Sequence, residues 1–327
     1  MNNIFINATA AREGGALTIL EMFCKSKKDS KDFFYIYSPI EPTVMPMNSY
    51  WVKKETNGID TLFFSLFFSW FFCLKHKCVK LISFSNLNCL LPIANKVTYF
   101  HNLLILNSPS IKYKVIRFAL RNLNQRNAYY IFQTPYVRDL FSTSLAIDVK
   151  SNICWPGILN DIKGDIFDGL PLSFNNYSKK IVVPITNIQD SNKNFDYVLK
   201  LAVINPNVFF VVTAPTPVDK RYFLNNLYYI GYLNRPRFIS LLEASDGVLI
   251  TSKCETVCLP IFEALIVNRP AFVLDSDYIH GLRDMFGHID GMYSFHESHD
   301  FVKVLLKSEL TNKCFFNPIY SSGNWDF

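Results

Sequence analysis

Two glutamates, Glu255 and Glu263, frame the segment Thr256-Val257-Cys258-Leu259-Pro260-Ile261-Phe262. Proline suits the first turn of a helix, where its missing N–H has no intrahelical partner to lose, so Pro260 predicts a helix start. The amides of Thr256, Val257, Cys258 and Leu259 then gather near the positive end of the helix dipole, an arrangement that holds a diphosphate. Glu263, in the helix, is able to accept from the paired hydroxyls of a ribose. Glu255, in the preceding loop, repels phosphate, so its natural partner is a hydroxyl or a positively charged transition state. As bare spacing the pair would equally suit acids complementing a helix dipole. The strand-like run Gly247–Thr251 in front, with Leu259-Pro260 and Glu263-Ala264 behind, favours the binding site.

Other residues carry chemistry by position. Lys193 precedes a run with Phe195, Val198, Leu199 and Ala202 at helical spacing. A cation at a helix N-terminus is unfavourable by about 0.3–1 kcal/mol, a penalty that a bound diphosphate removes. A solvated surface lysine is the alternative. His101 ends the apolar run Lys96–His101, and a strand's carboxyl end is where parallel sheets bind ligands. An isolated histidine more often serves only the structure, but this position favours a place in the ligand site. Gly14 and Gly15 follow the first strand and open a helix, but Arg12-Glu13-Gly14-Gly15-Ala16 is not the dinucleotide fingerprint GxGxxG. Asp275-Ser276-Asp277 is read as an ordinary loop, with no metal expected. Within the predicted helix Ile111–Leu123, Lys114, Arg117 and Arg121 form a basic stripe beside an apolar face. That stripe suits lipid or acceptor phosphates, or merely the solvated edge of a packed helix.

The elements that must hold these residues alternate strand and helix. Runs rich in Val, Ile, Phe and Tyr predict strands at Asn2–Asn7, Phe33–Ser38, Val79–Ser85, Lys96–His101, Ala128–Thr134 and Asn152–Trp155. A second series follows at Ile181–Ile185, Val208–Ala214, Tyr228–Gly231, Gly247–Thr251 and Pro270–Leu274. Continuous rather than alternating apolar character marks strands covered on both faces. Two such series predict an α/β protein with two Rossmann-like, doubly wound parallel-sheet domains, residues 1–160 and 161–327, facing across a cleft. The stretch Trp155–Asn176, with Pro156, Gly157, Gly164, Gly169 and Pro171, reads as the hinge.

A chain of 327 residues, half of them apolar, supplies two cores. Through Asn160 there are 18 Lys and Arg against 9 Asp and Glu, and thereafter 15 against 18. A basic first half fits a polyanion or anionic membrane facing that domain alone, or charge that serves only solubility. The eight cysteines lack paired metal spacing, and no secretory segment precedes the first strand, so a cytoplasmic protein with reduced thiols is expected. The Phe-rich stretch Thr61–Leu74 is too short for a spanning helix, which needs about 20 residues, and reads as buried or interfacial. No nucleic-acid motif accompanies the positive charge.

With these residues in place, the sequence resembles the retaining nucleotide-sugar glycosyltransferases of family four, also called glycosyl transferases group 1, which have the GT-B fold. Their hallmark of Glu, seven residues and Glu is matched by Glu255, Leu259, Pro260, Glu263 and Ala264, whereas Thr256 and Cys258 stand where glycines are usual. The resemblance extends to Gly14-Gly15, His101, Gln133-Thr134, Val137, Trp155-Pro156-Gly157 and Lys193; the Arg usual near Lys193 is missing, leaving Thr186 or Asn187 to hydrogen bond in its place. It implies that Glu255 contacts the transferred sugar, Glu263 the ribose and His101 the sugar near its reacting carbon. It implies also a first domain for the acceptor and a second for the donor, with the last 15 or so residues returning to the first. Nucleotide sugar is then a co-substrate, with no metal or other cofactor. The resemblance and the basic first domain imply as acceptor a saccharide, or a lipid-linked saccharide of a bacterial surface polysaccharide such as O-antigen or capsule, which would be met at the inner face of the plasma membrane. Two rival readings stand beside it: a GT-B epimerase or hydrolase of nucleotide sugars, and a non-catalytic protein that uses its Phe-rich helix to bind a membrane or partner.

Overall fold

A computed structural model describes residues 1–12, 14–123, 125–158, 169–171, 174, 176–309 and 314–327. Much of the expected hinge, residues 159–168, 172, 173 and 175, lies outside the described residues. The chain forms two compact units, Met1–Gly157 with Ser322–Phe327, and Ile158–Ser321.

The first unit carries a seven-stranded sheet of β1 (Asn3–Asn7), β2 (Phe33–Ser38), β3 (Ser49–Lys53), β4 (Lys80–Ser83), β5 (Asn95–Phe100), β6 (Tyr129–Phe132) and β7 (Ser151–Ile153). Their order is β3-β2-β1-β4-β5-β6-β7, and every pairing is parallel. Successive residues point to opposite faces, so strands such as Ile4-Phe5-Ile6 need cover on both. On one face Phe5 packs with Tyr37, Phe64, Cys73 and Leu81. Elsewhere in the unit Phe23 of the helix Gly14–Ser26 meets Phe34, Phe84 and Trp325 edge-on. Trp325 is held by its indole N–H on Pro156 O (3.2 Å) and by Lys27 Nζ on its own carbonyl (2.8 Å). Each fully buried aromatic of this kind contributes about 1.5–3 kcal/mol through apolar burial.

The Phe-rich stretch is helical from Ile59 to Lys75, and its middle, Phe64–Phe68, is wound as a π turn. Two serine hydroxyls bond back to carbonyls one turn earlier, Ser65 to Thr61 (2.9 Å) and Ser69 to Ser65 (2.8 Å). Leu66 O is taken by the amide of Leu90 at 2.9 Å, outside the helix. Such competing bonds loosen the regular ladder and accommodate a wider turn. The helix buries Phe64, Leu66 and Cys73 but leaves Phe63, Phe67, Phe68, Phe71 and Leu74 exposed. Among the described residues no helix is long and apolar enough to cross a membrane.

The second unit carries β8 (Lys179–Val183), β9 (Val208–Val212), β10 (Leu227–Tyr229), β11 (Gly247–Ile250), β12 (Ala271–Leu274) and β13 (Met292–Phe295), ordered β10-β9-β8-β11-β12-β13 and again parallel throughout. β11 opens on Gly247 for a steric reason: a Cβ there would lie 2.7 Å from Pro270 O and 2.8 Å from Phe272 Cε2. Both sheets reverse their order of growth once, between β1 and β4 and between β8 and β11. Chain connections diverge at such a point and leave a crevice beyond the carboxyl ends of the two strands, where ligands of doubly wound sheets bind.

Candidate active site

In the second unit the loops after β8 and β11 meet at this reversal. Asn192 Nδ2 donates to Cys254 O (2.9 Å), Lys253 N to Asn192 O (2.9 Å) and Thr251 Oγ1 to Lys193 O (2.8 Å). This stitching sets Lys193 Nζ 2.6 Å from Glu255 Oε1, with both side chains mostly shielded from water. Burial alone would lower the Lys193 pKa; the charge and hydrogen bond of Glu255, with the charge of Asp190, outweigh it and raise the pKa. The dipole penalty that a lysine incurs before a helix is thus offset here by a carboxylate.

The helix behind the loop spans Leu259–Ile266, with Pro260 in its first turn. Its N-cap, Cys258, adopts φ 48° and ψ 67° and makes no side-chain cap. This left-handed conformation explains why glycine suits the position; a Cβ there costs about 1–2 kcal/mol. Thr256, Val257, Cys258 and Leu259 donate their amides to no acceptor among the described residues. Burial first, then Glu255, pushes the Cys258 thiol pKa up, so the group stays protonated.

Glu263 lies inside this helix and is buried, 4% exposed. Burial raises its pKa, and Arg235 opposes the shift from 2.7 Å away. Arg235 begins the helix Arg235–Glu243, which Asn234 caps by accepting from Arg237 N. Sequence reasoning missed Arg235, and also Tyr278, whose buried phenol lies beside Cys258 and in the field of Glu255. An arginine opening a helix after β10, and a tyrosine in the first turn after β12, are the signals that were there to find. Asp275 follows β12 and faces three cationic or ionisable groups, His280 at 3.0 Å, His296 at 3.5 Å and Arg283 at 3.9 Å.

In the first unit, His101 directly follows β5. Its amide is fixed by Asn86 Oδ1 (2.8 Å), and its Nδ1 is buried without a hydrogen-bond partner. Burial lowers its pKa to about 4, a shift that a hydrogen bond with the Tyr99 backbone slightly opposes. The ring is therefore neutral near pH 7. Gly14 opens its helix at φ 58°, and a Cβ on Gly14 or Gly15 would meet open space. Of the basic stripe, Arg117 donates to Ile105 O (2.6 Å) and Ser108 O (2.9 Å), and Arg121 to Ser144 O (2.7 Å) and Leu145 O (3.1 Å). Both guanidinium groups thus bind carbonyls around neighbouring helix ends, whereas Lys114 is exposed. The same helix turns Ile111, Val115 and Phe118 outward.

The two sheet orders, the strand-loop-helix units at the reversals and the placement of Glu255 and Glu263 invite comparison with known folds. No family model matches the chain, and no curated relative matches its sequence. Solved structures do match it over nearly its whole length. WaaG, a glycosyltransferase involved in lipopolysaccharide biosynthesis, aligns at 14% identity over 94% of this chain and 90% of its own, with TM-score 0.64. HepE of Anabaena in complex with UDP-glucose aligns at 13% identity over 95% and 90%, with TM-score 0.66. Sucrose-phosphate synthase of Thermosynechococcus elongatus aligns at 10% identity over 98% and 91%, with TM-score 0.66. This chain has the GT-B fold. In GT-B terms, Lys193 and Glu255 lie at the switch point of the second sheet, and His101 lies at the carboxyl edge of the first.

Proposed function

We propose that this protein is a retaining glycosyltransferase that moves a sugar from a nucleotide-sugar donor to a saccharide acceptor. The observation that carries this reading is the set of groups at the β8–β11 reversal: unpartnered amides at 256–259, Lys193 and Glu255 in contact, and Glu263 close behind. The amides and the lysine bind the donor diphosphate, and Glu263, oriented by Arg235, accepts from the ribose hydroxyls. When Lys193 turns to phosphate it frees Glu255 for the sugar, which couples donor binding to completion of the site. Neutral His101 hydrogen bonds the sugar and stabilises charge as it develops.

In the reaction the acceptor hydroxyl attacks the anomeric carbon on the face from which the nucleoside diphosphate departs. The anomeric C–O bond to phosphate breaks, the leaving phosphate oxygen takes the acceptor proton, and the new glycosidic bond keeps the original configuration. Protein groups supply no covalent nucleophile to this scheme, and metal is not required, because Lys193 and the helix amides neutralise the diphosphate.

For the acceptor we infer a lipid-linked saccharide of a surface polysaccharide, met at the inner face of the plasma membrane. Two outward apolar rows in the first unit support this: Phe63, Phe67, Phe68, Phe71 and Leu74 on one helix, and Ile111, Val115 and Phe118 beside Lys112 and Lys114 on another. The test is nucleotide release from a panel of nucleotide sugars, with and without saccharide and lipid-linked saccharide acceptors. Release that depends on acceptor supports transfer. Release or epimerisation at the same rate without acceptor favours the rival enzyme class.

A further inference from the structure

The first unit has a concave site at the edge of its sheet opposite His101. Lys80 and Lys96 stand at the starts of β4 and β5, and with Arg126 and Lys150 they line a cavity of about 750 Å³. Strand β5 separates this edge from His101 by its own length, roughly 20 Å at about 3.3 Å per residue. None of the four cations makes an ion pair among the described residues. Asp326, the one acidic residue on the lining, is 96% exposed and reaches only Lys27, at 3.9 Å. Lys96 is buried and spends its ammonium on Cys89 O (3.1 Å). Lys80 lies over the ring of Phe327 at 5.9 Å, and burial, with the charge of Lys27, lowers its pKa.

Four cations gathered in a concavity whose one lining acid, Asp326, is almost fully exposed, with Asp32 acting on Lys80 alone, leave positive charge in excess and focus field on whatever enters. An anion is the chemistry that relieves it. The volume lies within the range of small-molecule sites and far exceeds one phosphate. Tyr129 and Phe327 add rings, and Asn95 and Asn127 add amides, to the same lining. We propose that this cavity binds a phosphate ester of a polyhydroxyl group, its phosphate held by Lys80, Arg126 and Lys150. The ester belongs either to a soluble sugar phosphate or to a phospholipid headgroup.

The experiment is calorimetric titration of the full chain with a hexose phosphate, together with co-sedimentation on phosphatidylglycerol vesicles. Both are repeated on Lys80→Gln/Arg126→Gln/Lys150→Gln, on the more exposed pair Arg126→Gln/Lys150→Gln, and on Lys303→Gln, an exposed cation of the other unit, as a control. Loss of charge-assisted bonds should weaken one of the two ligands by about tenfold or more in the triple variant and by less in the pair, while Lys303→Gln leaves it unchanged. Dependence of the soluble ester on these cations identifies a sugar phosphate; dependence of the vesicles alone identifies a headgroup. If neither ligand responds to the triple variant or to the pair, the proposal is overturned.

Discussion

Lys193 Nζ lies 2.6 Å from Glu255 Oε1, joining loops 62 residues apart in sequence at the one reversal of the second sheet. In the proposed function, this contact holds a cation for phosphate and an acid for a sugar hydroxyl together until the donor separates them. Their separate roles predict separate kinetic signatures. Glu255→Gln should lower kcat by about a hundredfold with donor affinity changed little, because it removes an interaction formed chiefly in the transition state. Lys193→Met should instead weaken donor binding by about tenfold, the size of one charge-assisted hydrogen bond. Steady-state kinetics with donor varied separates the two, and identical profiles for both variants would argue against the division of labour.

Glu263 and Arg235 form the more buried pair, and it should dominate stability. Glu263→Ala takes the carboxylate away from a guanidinium that is only 15% exposed, which should cost about 3–5 kcal/mol. Arg235→Leu/Glu263→Leu removes both charges and should recover most of that loss in urea unfolding. Failure of the double variant to recover would mean that Arg235 has a more important partner than Glu263.

His101 predicts a pH dependence with a definite sign. Its folded pKa of about 4 lies below the ordinary value of 6.5, so the unfolded chain binds a proton that the native state refuses. The stabilisation from keeping the ring neutral is complete above pH 6.5 and is lost as pH falls to 4, a change on the order of 3 kcal/mol. His101→Asn should flatten unfolding free energy across that window relative to the parent. A parallel slope in both proteins would assign the acid sensitivity to other groups.

The outward phenylalanines predict membrane association of the first unit. Phe67→Ser/Phe71→Ser should reduce co-sedimentation with anionic vesicles by about tenfold or more, since each ring inserted into lipid contributes about 1.5–3 kcal/mol. Far-UV circular dichroism should be unchanged, as both rings are exposed. Arg121→Gln should do little to vesicle binding and should lower Tm instead, because its guanidinium bonds the carbonyls of Ser144 and Leu145.

The α/β architecture was legible because its central strands, such as Ile4-Phe5-Ile6 and Val208–Val212, must be apolar on both faces. Strands β3 and β13 escaped notice for the complementary reason. Both are edge strands, and Ser49–Lys53 and Met292–Phe295 mix polar and apolar residues on half-covered surfaces. The π turn at Phe64–Phe68 was invisible because its apolar residues fit any helical winding, and the serine back-bonds that shape it are tertiary facts. Glu255, Glu263 and Lys193 could be named from local context. Their partners could not: Arg235 reaches Glu263 from a different βα unit, and Lys193 meets Glu255 only once β8 and β11 pair. The same limit governs Arg117 and Arg121, which share a helix stripe in sequence yet reach carbonyls that no periodicity foretells.

The most direct test of the central claim is calorimetric binding of a panel of UDP-, GDP- and other nucleotide sugars to the parent protein and to Lys193→Met. One nucleotide sugar should bind the parent at a single site with micromolar affinity and bind Lys193→Met about tenfold more weakly. Equal affinity of that nucleotide sugar for both proteins would contradict a donor diphosphate at the β8–β11 reversal.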